Sequence, residues 1–169
     1  MADAQSFDGF YRATARRVQR YAFVMTGNLE SAQDITQEAY VRAWRRWSTV
    51  SRYEHPEAWV RLVVARLATD WWRRLTVRRR HEAADRGPEP MPAPSEWTVL
   101  LVDALRRIPA RQRQAICLHY LLDLSVGDIA REIGVPEGTV KSWLHRARST
   151  LAASFAPAHP TLQEGNGVR

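Results

Sequence analysis

The 169-residue sequence is nearly without cysteine. Cys117 stands alone, so no disulfide can form within the chain. It sits in Ala115-Ile116-Cys117-Leu118, where a thiol acts as a small hydrophobe, and its expected role is core packing. Lysine is almost as scarce: Lys141 is the one lysine among 25 basic residues. No apolar run reaches the length of a membrane span, and no secretory leader pattern opens the chain. A soluble, cytoplasmic protein with no membrane partner is therefore expected. Also missing are a metal-ligand cluster, a phosphate-cradling glycine loop and a nucleophile motif. His55, His81, His119, His145 and His159 are scattered without metal spacing. The expectation is a chain with no catalytic residues, no metal and no cofactor.

What is present is positive charge, apolar surface and tryptophan. The formal net charge is +7, 45% of residues are hydrophobic, and Trp occurs seven times. Such a balance favours polyanionic partners, nucleic acid first, although Arg-rich solvated surfaces are common. The charge is uneven. Residues 1–80 hold 15 Arg against 8 Asp plus Glu, whereas residues 96–155 hold 8 basic residues against 6 acids.

Helical periodicity runs through nearly the whole chain, and no convincing strand alternation occurs, so an all-α fold is expected. Phe7, Phe10, Tyr11, Thr14, Val18, Tyr21, Ala22 and Met25 form a first stripe. Gly27 suits its end and Asn28 the cap of a second helix. Ala32, Ile35, Ala39 and Ala43 make the inward face of that helix, flanked by Tyr40 and Trp44. A polar stretch, 48–55, precedes Pro56 and Glu57, which suit the first turn of a third helix. That helix reads through Trp59, Val63, Leu67 and Trp71 towards Arg80. Four prolines then mark residues 81–95 as an extended linker. A second group follows, with a stripe of Trp97, Leu100, Leu101, Ala104, Leu105 and Ile108. Further helices are expected near 110–122, 126–133 and 137–153, and residues 156–169 read as a disordered tail. Two small helical modules, 1–80 and 96–155, result.

The strongest local motif lies in the second module. Ser125 caps a short helix, Asp128 reaches back to it, Gly134 permits a left-handed stop, and Val135-Pro136 turns into the next helix. There Val140, Leu144, Ala147 and Leu151 point inward. The opposite arc carries Ser142, His145, Arg146 and Ser149, with Lys141 and Arg148 on its flanks. Charges alone would suit a solvated face; joined to cap, short helix, Gly turn and second helix they suit a helix-turn-helix reading the major groove.

The first module offers two different faces. Asp34, Gln37 and Glu38 share one helix surface, which a solvated face would also explain. Residues 55–80 hold seven Arg against two acids, interleaved with Trp59, Trp71 and Trp72. Cations can follow phosphates, and aromatic rings can stack with unpaired bases for about 1–3 kcal/mol each. Core filling is the alternative for Trp59 and for one of Trp71 and Trp72.

Both modules resemble a known family. Leu105-Arg106-Arg107-Ile108-Pro109-Ala110-Arg111-Gln112-Arg113, Leu124-Ser125, Ile129-Ala130 and Gly138-Thr139-Val140-Lys141-Ser142 look like region 4 of RNA polymerase sigma factors. Ala32-Gln33-Asp34-Ile35-Thr36-Gln37-Glu38-Ala39-Tyr40-Val41-Arg42-Ala43-Trp44 resembles region 2, and Val63-Val64-Ala65-Arg66-Leu67-Ala68-Thr69-Asp70-Trp71-Trp72-Arg73-Arg74 its strand-opening segment. Two modules in this order, with a short linker and no third region, are similar to the extracytoplasmic-function (ECF) group of the sigma-70 family, and to its actinobacterial sigma-E-like members.

The resemblance implies a monomeric factor that joins core RNA polymerase at the β′ clamp helices and the β flap, binds promoter DNA, and in some members meets an anti-sigma protein. It implies docking by Asp34, Gln37 and Glu38. Contact with the −10 region would fall to Arg52, Tyr53, His55, Arg66, Asp70, Trp72, Arg73 and Arg74, and contact with the −35 region to Thr139, Lys141, Ser142, His145 and Arg146. Three positions depart from the family pattern: Arg66 for the usual Asn, Trp143 for a frequent basic residue, and Pro136 for a small polar cap. The main rival is a helix-turn-helix repressor or activator that binds operators as a dimer, with residues 1–80 as its sensing domain.

Overall fold

Local capping chemistry sets the helix boundaries. The computed structural model describes residues 2–81 and 96–155. The linker expected over 81–95 falls almost wholly outside the described residues, as does the tail expected over 156–169. Gly27, at φ 69°, ends α1 (Ala2–Thr26), and the Asn28 side chain accepts from Ser31 N at 2.8 Å to start α2 (Leu29–Arg45). One extra turn, α3 (Trp47–Val50), interrupts the expected polar loop because Trp47 and Val50 are buried there. Trp47 packs tilted against Phe10 and edge-on against Phe7, with ring centroids 5.0 and 5.2 Å apart. Pro56 opens α4 (Pro56–His81).

These four helices enclose a core in which Val18, Tyr21, Ala22, Met25, Val60 and Val64 are almost fully shielded. Each large apolar side chain so buried contributes about 2 kcal/mol. Tyr40 lies against them, its hydroxyl 2.7 Å from Thr14 Oγ1. Burial pushes that phenol up to about 12.

The second group comprises α5 (Glu96–Arg106), α6 (Ala110–Tyr120), α7 (Val126–Ile133) and α8 (Glu137–Phe155). No strand occurs among the described residues. Ser125 caps α7 as expected: its Oγ accepts from Asp128 N at 3.1 Å and donates to Asp128 Oδ2 at 2.6 Å. The Ser125 hydroxyl first, and Arg131 after it, hold the Asp128 carboxyl below its ordinary value. Gly134 takes the left-handed conformation, φ 75° and ψ 44°. Val140, Leu144 and Ala147 of α8 are buried against Ile129, Leu118 and Ala115 in one cluster.

Two burial patterns differ from the sequence reading. The α5 stripe turns Val102, Ala104, Leu105 and Ile108 inward and leaves Leu100 and Leu101 exposed. Helix α4 buries Val60, Arg61, Val63, Val64, Ala65 and Ala68, a wider surface than one stripe, while Trp59, Leu67 and Trp71 are half-buried. The reason is that α4 is covered from two sides, by α1 and α2 on one and by α7 on the other. The two modules therefore share a single hydrophobic cluster.

The Ser125 cap generates a direct test. Replacing Ser125 by Ala is expected to lower unfolding free energy by about 1 kcal/mol in urea titrations. An unchanged midpoint would show that the cap contributes nothing.

Candidate functional site

The α2 surface opposite the buried Ala32, Ile35, Ala39 and Ala43 carries the expected acidic group. Asp34 and Gln37 are exposed, and Glu38 is half-exposed with Oε1 2.7 Å from Arg42 Nε. Asp34 and Glu38 line one side of a cleft of about 360 Å³ whose other side is Leu67, Trp71 and Arg74 of α4. Beyond Gln37 lie the exposed Val41, Trp44 and Tyr11, beside Phe7. The structure thus brings the three predicted residues together, next to an apolar shelf.

Along α4, Arg66, Asp70, Arg73 and Arg74 recur at spacings of four, three and one, which places them on one side of the helix. All four are exposed, and Arg73 Nη2 meets Asp70 Oδ1 at 2.7 Å. Arg52, Tyr53 and His55 are exposed in the loop just before. Backbone bonds from Arg52 N to Thr49 O and from Tyr53 N to Val50 O anchor that loop to α3.

Trp72 does not join this stripe. Its indole Nε1 donates to Met25 O at 2.9 Å, and the guanidinium carbons of Arg106 and Arg113 lie 5.8 and 5.5 Å from its ring. Core filling suits only one of the two adjacent tryptophans on the sequence reading, yet both rings are half-buried, 4.8 Å apart: Trp71 lines the cleft beside α2, and Arg106 and Arg113 of the second module cover Trp72.

On α8 the expected arc is intact. Lys141, Ser142, His145 and Arg146 are exposed, as are Arg148 and Ser149. Thr139 is half-buried in the first turn, its N bonded to Pro136 O at 3.0 Å. Ser142 Oγ donates to Gly138 O at 3.0 Å, which leaves its lone pairs for a donor from outside. Trp143 packs against the module's apolar cluster, so its departure from a basic residue fills the core.

Sequence reasoning missed the residues between the modules. Arg61 is counted among the cations of the third helix, yet its guanidinium is buried in a bidentate pair with Glu132 of α7. The distances are 2.9 Å from Nε to Oε1 and 2.6 Å from Nη2 to Oε2. Glu57 adds a contact at 3.2 Å and is itself held by Arg17 at 2.7 Å. Burial opposes the Arg61 charge, but Glu132 and Glu57 outweigh it and raise the pKa. Arg113 has no such acid among the described residues, and burial lowers its pKa. The available signal was phase: Glu57, Arg61, Val64 and Ala68 share one helix face. Cys117 lies close to this seam, buried, its thiol pushed up to about 12 by burial. Among the described residues no group of His, Cys, Asp and Glu could hold a metal, and no helix is long and apolar enough to cross a membrane.

Comparison with known proteins gives independent findings. Residues 10–78 match the family model described as Sigma-70 region 2, and residues 98–151 match Sigma-70, region 4. The chain is 31% identical over 156 residues to the RNA polymerase sigma-E factor of Streptomyces coelicolor, covering 89% of this chain and 86% of that protein. It is also 31% identical to the ECF RNA polymerase sigma factor SigL of Mycobacterium tuberculosis, covering 89% of each. Among solved structures, the Bartonella quintana sigma factor RpoE, crystallised with the anti-sigma factor NepR, superposes with a TM-score of 0.69. At 22% identity it covers 89% of this chain and 96% of that one, and it shares the fold.

The buried thiol yields a pH-dependent expectation. At pH 8 Cys117 stays protonated, so a disulfide reagent should label the native chain at least tenfold more slowly than the urea-unfolded chain. Equal rates would show that the thiol is accessible.

Proposed function

The chain belongs to the ECF group of sigma-70 factors, and from that premise we propose how its surfaces divide the family's work. It binds core RNA polymerase and directs promoter-specific initiation of transcription, as its family does. The rival reading, a dimeric operator-binding repressor, leaves residues 10–78 without their match to region 2 and is set aside.

Polymerase docking is assigned to Asp34, Gln37 and Glu38, received by the β′ clamp helices. What supports this assignment is an exposed acidic cluster on a chain of net charge +7, fixed on a helix whose opposite face is locked in the core. A basic chain gains nothing from that cluster on DNA, since carboxylates repel phosphate. The β flap is assigned to the apolar groove of Leu101, Leu105, Tyr120, Leu121 and Leu151, where Leu101 and Tyr120 remain exposed.

DNA is divided between two helices. Lys141, Ser142, His145 and Arg146 enter the major groove at the −35 region, with Thr139 near the backbone. Arg66, Asp70, Arg73 and Arg74 of α4, with Arg52, Tyr53 and His55 from the preceding loop, hold the opened −10 strand. Asp70 acts there by orienting Arg73, to which it is bonded. Trp72 joins them only when its present partners release it. On this reading the chain supplies binding energy and geometry, and the catalytic groups belong to the polymerase in the cytoplasm.

Two measurements test the assignments. Changing Asp34 and Glu38 together to Lys is expected to weaken association with core polymerase at least tenfold while circular dichroism stays helical. Undiminished binding would remove the docking role. Changing Lys141 and Arg146 to Ala is expected to lower promoter occupancy by the holoenzyme. The slope of log affinity against log salt should fall by about 1 for each cation withdrawn from a phosphate. Unchanged occupancy and slope would exclude α8 as the reader.

A further inference from the structure

Helix α1 buries Thr14, Val18, Tyr21, Ala22 and Met25, and its opposite side carries Arg12, Arg16 and Arg20 at intervals of four residues. Acidic neighbours take up some of the α1 arginines and not others. Arg12 is bonded to Asp8 at 2.9 Å, and Arg17 to Glu57 at 2.7 Å. Arg16 and Arg20 are exposed and have no acid partner among the described residues. Their Cβ atoms stand one turn apart, about 5–6 Å, so the two charges repel each other unless an anion lies between them.

Both arginines line a cleft of about 330 Å³, with Gln19 on the same rim. Its walls are apolar: Phe23 and Val24 of α1, Leu29 at the start of α2, and Leu121 at the end of α6. Phe23 and Val24 are half-buried, while Leu29 and Leu121 are 44% and 37% exposed. Three clefts elsewhere are each lined by carboxylates, from Glu54 and Asp128, from Asp34 and Glu38, or from Asp8. This one has none. Its volume lies near the lower end of the range for small-molecule sites, about 300–1,000 Å³.

A solvated basic face has no use for apolar walls, and a nucleic-acid backbone would leave Leu29 and Leu121 wet. The two halves of the cleft suit the two halves of one small ligand. Guanidinium forks match phosphate oxygens, and two of them one turn apart can share a single phosphate or pyrophosphate. A flat ring can lie against Phe23 and be flanked by the two leucines. Gln19 offers both a donor and an acceptor to the polar edge of such a ring. We propose that Arg16, Gln19, Arg20, Phe23, Leu29 and Leu121 form a binding site for a nucleotide-like anion, a phosphate or pyrophosphate joined to a flat ring. The arginines hold the phosphate, and the apolar walls hold the ring. None of these residues is assigned above to the clamp helices or to DNA, so the site is measurable on the free chain whatever becomes of those assignments.

The test is isothermal titration calorimetry on the full-length chain with adenosine diphosphate, guanosine diphosphate, inorganic pyrophosphate and adenosine. At least one of the two nucleotides is expected to bind saturably, one per chain, and pyrophosphate and adenosine more weakly, since each keeps only half of the contacts. Arg20→Gln is expected to weaken nucleotide binding about tenfold or more, the usual effect of losing a charge-assisted bond. Leu29→Gln is expected to weaken the nucleotide and leave pyrophosphate unchanged. Arg12→Gln, on the same side of α1 but outside the cleft, is expected to stay within twofold of the parent. Circular dichroism checks that each variant is helical, and Arg16→Gln replaces Arg20→Gln should the latter unfold. No saturable binding of either nucleotide would overturn the site. So would pyrophosphate binding as tightly as the nucleotide, or Arg12→Gln losing as much as Arg20→Gln, because either result reduces the cleft to diffuse positive charge.

Discussion

An arginine withdrawn from water keeps its charge at least cost beside an acid, and the arrangement of this chain depends on where Arg61 meets one. Within its module Glu57 is a partial answer. The bidentate bond comes from Glu132, 71 residues away, in the first helix of the helix-turn-helix. Removing one member of such a pair is costly because the other is left buried with less compensation. Unlike apolar packing, which tolerates sliding, paired forks fix one register between the modules. The shared cluster of Tyr21, Val64, Leu105 and Ile116 supplies burial energy, and the ion pair gives that burial its orientation.

Charge is also used to keep partners apart on the surface. The acidic group of α2 and the basic stripe of α4 belong to adjacent helices, yet Asp34 and Glu38 face Arg74 and Trp71 across a cleft without an ion pair to Arg74. Glu38 is held instead by Arg42 on its own helix. Asp34 and Gln37 stay exposed on one helix, and Arg66, Arg73 and Arg74 on the other. A factor that must hold an enzyme and a polyanion at once needs this separation, because a neutralised surface would serve neither.

Local chemistry made much of this legible in the amino-acid sequence. Asn28, Ser125, Gly27 and Gly134 act on backbone groups within a few residues, so their caps and turns follow from neighbours alone. The exposed arc of α8 follows from a four-three-four spacing, and the acidic face of α2 from an equally regular one. Helix α3 was not legible, being a single turn made by the burial of Trp47 and Val50. Nor was the seam. Trp72 reads as a stacking residue because its partners, Met25, Arg106 and Arg113, come from elements distant in the chain, and Arg61 reads as one more cation among seven. Only the register of Glu57 and Arg61 with Val64 and Ala68 hinted that charge had been placed on a buried face.

Acidic face and basic helix have a purpose only if this chain confers promoter choice on a polymerase that lacks it. Run-off transcription from genomic fragments, with purified core enzyme and with or without the chain, tests that most directly. Discrete transcripts that appear only when the chain is present, from start sites preceded by a shared pair of elements, are the predicted result. Identical transcripts in both reactions, or a chain that occupies palindromic operators as a dimer and leaves core enzyme untouched, would contradict it.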